Sequence, residues 1–80
     1  MNYQEAINRV NALRKELASA TVLRKSAYTA YNHAFLANAF SLETRQRSQD
    51  LSDAVDEEEY LEEKLDWAKD DQYDLSATNI

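Results

Sequence analysis

Twelve of the fifteen carboxylates in this 80-residue chain fall between Asp50 and Asp74, where the only cations are Lys64 and Lys69. Residues 1–49 carry seven Lys/Arg and three acids, net +4, and residues 50–80 are net −10. Carboxylates at this density could hold a metal ion, move protons, or present a phosphate-like field to a basic surface.

The first two chemistries find little support. A di-metal helical bundle needs Glu-x-x-His pairs pointing inward. The only histidine, His33, has no acid three residues before it. The spacing Asp50-x-x-Asp53-x-x-Asp56 does not match an EF-hand loop, which also needs a glycine that the chain lacks. There are no cysteines, so neither a thiolate ligand nor a disulfide is available. No nucleophile–base constellation or phosphate loop stands out, and no cofactor is implied. The chain reads as a non-enzyme. The aromatic run Tyr28, Tyr31, Phe35 and Phe40 could stack bases, but base stacking on single strands also needs a basic groove. Residues 26–42 contain no Lys or Arg, so these aromatics read as core or protein interface, and direct nucleic-acid binding is not expected.

The third chemistry is the one the pattern supports. On a helix the 25 residues from Asp50 rise ~37 Å, so eleven outward charges stand about 3.4 Å apart, close to the phosphate spacing of one DNA strand. The competing reading is an ordinary solvated face. Against it, like charges sit at i,i+4 in Glu58–Glu62, Glu59–Glu63, Glu62–Asp66, Asp66–Asp70 and Asp70–Asp74, and each such pair is destabilising. Asp70, Asp71 and Asp74 also crowd a helix C-terminus, where the macrodipole disfavours anions.

The elements that position these residues are helices. Gly and Pro are absent, Ala is abundant and β-branched residues are few, which suits long helices rather than a sheet. Asn2 followed by Glu5 reads as a capping box. An apolar stripe then runs at alternating three- and four-residue steps through Tyr3, Ala6, Val10, Leu13, Leu17, Ala20, Ala27, Tyr31 and Ala34, interrupted by Arg24 and ending at Asn38. A second stripe runs through Leu51, Ala54, Leu61, Leu65, Ala68 and Leu75, interrupted by Glu58 and Gln72. Both have the 3.5-residue mean period of a coiled-coil seam.

Laid antiparallel, the stripes pair residues whose numbers sum to 81 or 82: Leu13 with Ala68, Leu17 with Leu65, Ala20 with Leu61, Tyr31 with Leu51. In that register Arg24 meets Glu58, so the polar breaks face each other with opposite charge. The turn falls near residues 40–42, with Ser41 as N-cap. The expectation is therefore an all-α antiparallel two-helix hairpin in one domain, with helices at about 3–39 and 42–75 and frayed residues from Ser76. The same register places Lys25 near Glu57 and Lys15 near Asp66 and Asp70.

A two-helix hairpin has no interior beyond its seam. The second face of helix 1 near the turn is apolar (Tyr28, Phe35, Leu36, Ala39, Phe40), and helix 2 adds Val55, Tyr60 and Trp67 off its seam. Exposed apolar patches of this kind mark interfaces. A homodimer forming a four-helix bundle is the simplest expectation, and a face kept for a foreign partner is the alternative. The uncharged run 26–42 is too short and too polar to span a bilayer, and no basic-then-apolar leader opens the chain, so a cytoplasmic location is expected.

Two function classes follow. One is a binding inhibitor or modulator. Its expected contact residues are Asp53, Asp56, Glu59, Glu63, Asp66 and Asp70, facing a basic groove on a nucleic-acid-handling protein, with Tyr28, Phe35 and Phe40 for specificity. In overall character, small, compact and strongly acidic, such a chain is similar to phage-encoded modulators of host machinery, including anti-restriction and anti-CRISPR proteins. The other class is a structural or assembly bundle whose charge only keeps it soluble.

Overall fold

The computed structural model describes residues 2–78 and consists of two antiparallel helices, α1 (Tyr3–Ala37) and α2 (Leu42–Thr78). They lie side by side in a rod of 60 × 14 × 14 Å. Among the described residues there is no strand, and no helix is long and apolar enough to cross a membrane.

The N-terminus of α1 forms as its sequence dictates. Asn2 is extended and its Oδ1 accepts the backbone N–H of Glu5 at 2.8 Å. The Asn2 side-chain amide in turn donates to the Glu5 carboxylate at 3.3 Å. One orphan N–H of the first turn is thus satisfied by the cap, and a side-chain bond between the same two residues holds the cap in place.

The seam is where the periodicity puts it. Val10, Leu13, Ala20, Leu61, Leu65 and Ala68 form one buried cluster with Leu17 packed against it. Ala6 and Ala34 extend the buried stripe toward both ends of α1. Arg24 and Glu58 meet in this seam, and their numbers sum to 82.

The turn differs from expectation by two residues. Helix α1 ends at Ala37, not near residue 39, because Asn38 leaves the helix in an extended conformation (φ −165°, ψ 105°). Its N–H still closes the last turn on the Ala34 carbonyl at 2.9 Å. Its side-chain oxygen accepts the Phe40 N–H at 3.0 Å. Its carbonyl accepts the Thr44 hydroxyl at 2.6 Å and the Ser41 N–H at 3.2 Å. Ser41 caps α2 as expected, its Oγ accepting the Thr44 N–H at 3.1 Å. A chain without glycine has no easy left-handed residue. None of the described residues has positive φ, and side-chain hydrogen bonds from Asn38, Ser41 and Thr44 reverse the chain instead.

At the other end, α2 continues to Thr78 instead of fraying from Ser76. No breaker follows Leu75. Leu75 and Ser76 are half-buried, as are Tyr3 and Ile7, and the sum of 82 sets Ile7 level with Leu75. Residues 79 and 80 lie outside the described residues. Residues 42–50 are helical, so α2 begins directly after the turn.

Candidate functional site

Helix α2 carries thirteen acids and four bases, against two acids and five bases on α1. One acid is turned into the seam. Arg24 Nε donates to both carboxylate oxygens of Glu58 at 2.9 Å each. The side chains are 32% and 15% exposed, so the pair is shielded more than the outer charges. The Arg24 hydrogen bond, then that of Thr21, then the charges of Arg24 and Lys25, hold the Glu58 carboxyl below its ordinary value, against a burial effect that pushes it up.

The remaining cations on the hairpin do little for the outer face. Arg9 reaches Asp71 across the seam edge at 3.5 Å, and Arg47 reaches Asp50 one turn on at 3.6 Å. Lys64 lies over the Tyr60 ring, 4.9 Å from its centroid. Neither Lys15 nor Lys25 makes an ion pair among the described residues, so the pairings expected for them with Glu57, Asp66 and Asp70 do not form.

The expected acidic residues are all exposed. Asp56, Glu59, Glu63, Asp66 and Asp70 follow one another at steps of three, four, three and four, so they form a straight stripe with the period of the seam but on the solvent side. Among the described residues these five make no ion pair and no side-chain hydrogen bond. Asp53, beside the stripe, accepts from Gln49 Nε2 at 2.9 Å. Five charges over this stripe stand about 5 Å apart along the axis. The spacing of ~3.4 Å holds only when charges all round the helix are counted, so a single face is sparser than a phosphate strand.

Tyr28, Phe35 and Phe40 are exposed near the turn, Phe40 to 87%. The rings of Tyr31 and Phe35 lie 5.9 Å apart at 39°, which fixes Phe35 at the edge of the seam. Phe40 does not converge with the far end of the acidic stripe. At 1.5 Å per residue, Glu63 to Asp70 stand ~30–40 Å from the turn, while Asp53 and Asp56 stand ~15–20 Å from it. Phe35 and Phe40 lie toward the turn, apart from Glu63, Asp66 and Asp70, and Tyr28 lies level with Asp53 and Asp56 at the near end of the stripe.

Two residues of that anionic surface were visible in the sequence only as off-seam aromatics. Tyr60 and Trp67 are exposed and one heptad apart. Trp67 has Glu63 and Asp71 one turn to either side, and Tyr60 has Asp56 and Lys64. Their i,i+7 spacing inside the acidic run was the signal. Among the described residues no group of three or more His, Asp or Glu is placed to hold a metal ion.

The fold and its surface define a small acidic helical hairpin with one unneutralised carboxylate stripe and one apolar tip. Comparison with known proteins found no matching family model, no matching curated protein and no matching solved structure.

Proposed function

We propose that the chain is a non-enzymatic binding protein that modulates a nucleic-acid-handling partner by laying the acidic face of α2 on a basic surface of that partner. One observation carries this reading: the stripe Asp56–Glu59–Glu63–Asp66–Asp70 is exposed and unpaired, although α1 carries five cations. A face shaped for stability alone would pair or interleave its charges. A partner surface filled by carboxylates cannot hold a phosphate backbone, so the outcome is inhibition or displacement. A rod 14 Å across suits surface docking better than the enclosure of a small substrate. The apolar tip serves a second contact, self-association into a four-helix arrangement.

The test is capture of partners from native host extract at ~50 and ~200 mM salt, followed by competition with duplex DNA. The reading expects a basic partner that is released by salt and by DNA. Binding that ignores both, or a charge-reversed Glu59, Glu63, Asp66 and Asp70 variant that still captures the same partner, removes it and leaves the acidic face as a solvated surface.

A further inference from the structure

We infer that the uncharged outer face of α1 is covered by another copy of this chain, packed helix α1 against helix α1 in antiparallel fashion about a two-fold axis near Ala30. This rests on the self-association proposed above and specifies its face and register.

The first ground is area. The chain exposes 5910 Å², whereas a compact monomer of 9.2 kDa exposes about 4,900 Å² by the usual size scaling. The excess of ~1,000 Å² per chain matches the ~800 Å² that each partner of a standard interface buries.

The second ground is where the uncharged surface lies. Residues 26–42 carry no Asp, Glu, Lys or Arg in a chain that is 30% charged. Over this window α1 is apolar or neutral on its outer side as well as on its seam side, the pattern of a helix covered on more than one face. Leu36 in this window is 84% exposed, and Val22, just before it, is 62% exposed, with no packing role inside the hairpin.

The third ground is what can cover it. Setting the acidic face of α2 on this window would strip water from several carboxylates against Leu36 and Val22, with Lys25 alone at the edge of the face to compensate them. Setting α2 on α2 would oppose two faces of net charge −9, from thirteen acids and four bases each. The contact free of both penalties is α1 on α1.

The residues are self-complementary in that arrangement, as a two-fold interface requires. Lys25, Tyr28, Asn32 and Phe35 recur at steps of three, four and three on one side of α1. Antiparallel pairing about residue 30 sets Tyr28 against Asn32 of the second copy and Lys25 against Phe35 of the second copy, both pairs summing to 60. The first joins a phenol hydroxyl to a side-chain amide that makes no hydrogen bond of its own among the described residues. The second places an ammonium over a ring. Val22 and Leu36 flank the pairs. Both copies of α2 then lie on the outside, so the assembly carries two acidic faces and can engage two basic partners, or one partner twice.

The chain has no cysteine, so introduced thiols report position without background. Tyr28→Cys and Asn32→Cys are mixed in equal amounts and oxidised. The mixed disulfide should exceed either homodisulfide several-fold, because residues 28 and 32 face each other while like positions are offset by about 6 Å along the axis. Leu36→Glu, exposed in the hairpin and so harmless to its fold, should reduce the sedimentation mass from twice 9.2 kDa to once at unchanged helicity. A dimer in which homodisulfides match or exceed the mixed product, or in which Leu36→Glu still sediments as a dimer, overturns this face and register and leaves self-association standing. An unmodified chain that sediments at 9.2 kDa at micromolar concentration overturns self-association itself.

Discussion

Arg24 Nε bonds both carboxylate oxygens of Glu58 at 2.9 Å across the seam of the hairpin. This pair is a charged layer between apolar residues on either side, Ala20 and Ala27 on α1 and Ala54 and Leu61 on α2. A charged pair at a seam position fixes register more than it adds stability. A slip of one heptad would leave each charge facing an apolar layer. The same register appears at the turn, where Asn38 meets Thr44 and the numbers again sum to 82.

Arg24→Leu and Glu58→Leu should each lower the melting temperature by several degrees, because each leaves a half-buried charge without its partner. The double variant should be more stable than either single one, since it replaces the layer by apolar contact. Thermal melts of all four proteins form the cycle. Losses that simply add would mean that the two side chains do not interact in solution.

The pH dependence of stability has a definite sign. Glu58 is held below its ordinary value, 4.5, by Arg24 first and Thr21 second. A carboxylate with a depressed folded pKa binds fewer protons folded than unfolded near that value. Its contribution is therefore present above about 4.5 and is lost as pH falls through the lower folded value. Melting temperatures measured from pH 6 down to about 3 should fall more steeply for the natural chain than for Glu58→Gln, which has no proton to gain there. Parallel curves would show that the pair does not govern acid stability.

The turn depends on a buried hydroxyl. Thr44 is 4% exposed, and its Oγ1 donates to the Asn38 carbonyl at 2.6 Å. Thr44→Val keeps the shape and removes the donor, leaving the Asn38 carbonyl with only the Ser41 N–H, at a cost of about 0.5–1.5 kcal/mol for the lost hydrogen bond. Ser41→Ala removes the cap of α2 and should cost about 1 kcal/mol. The two residues share one network, their hydroxyls lying 2.9 Å apart. The double variant should therefore lose less than the sum in urea denaturation.

Binding to a basic partner should separate by surface. Reversing one stripe acid, as in Glu63→Lys, should weaken the complex modestly, and most at low salt, where exposed charges act over the longest range. Trp67→Ala should weaken it with little change in the salt slope, because an aromatic anchor contributes through desolvated contact area. Phe40→Ala, ~30–40 Å from Glu63 to Asp70, should leave the one-to-one affinity nearly unchanged. Titration calorimetry at two ionic strengths checks all three. An equal loss from Phe40→Ala would mean that the partner spans the whole rod.

The periodicity alone determined the two helices, their buried faces and their relative register, because each rests on local spacing repeated over many turns. Once two stripes of 3.5-residue period exist, Arg24 and Glu58 leave one way to lay them together. The cap at Asn2 and the cap at Ser41 were legible for the same reason, since each is a contact within four residues. Tertiary structure decided what depends on contacts far apart in sequence or on the free surface. Helix α1 ends at Ala37 because Thr44, seven residues on, bonds the Asn38 carbonyl. Phe40 and the far end of the acidic stripe separate because each residue along α2 adds about 1.5 Å from the turn, whereas the antiparallel return brings Tyr28 level with Ala54. Arg24, Arg47 and Arg9 pair with Glu58, Asp50 and Asp71, and only the assembled hairpin shows that the stripe from Asp56 to Asp70 is left unneutralised.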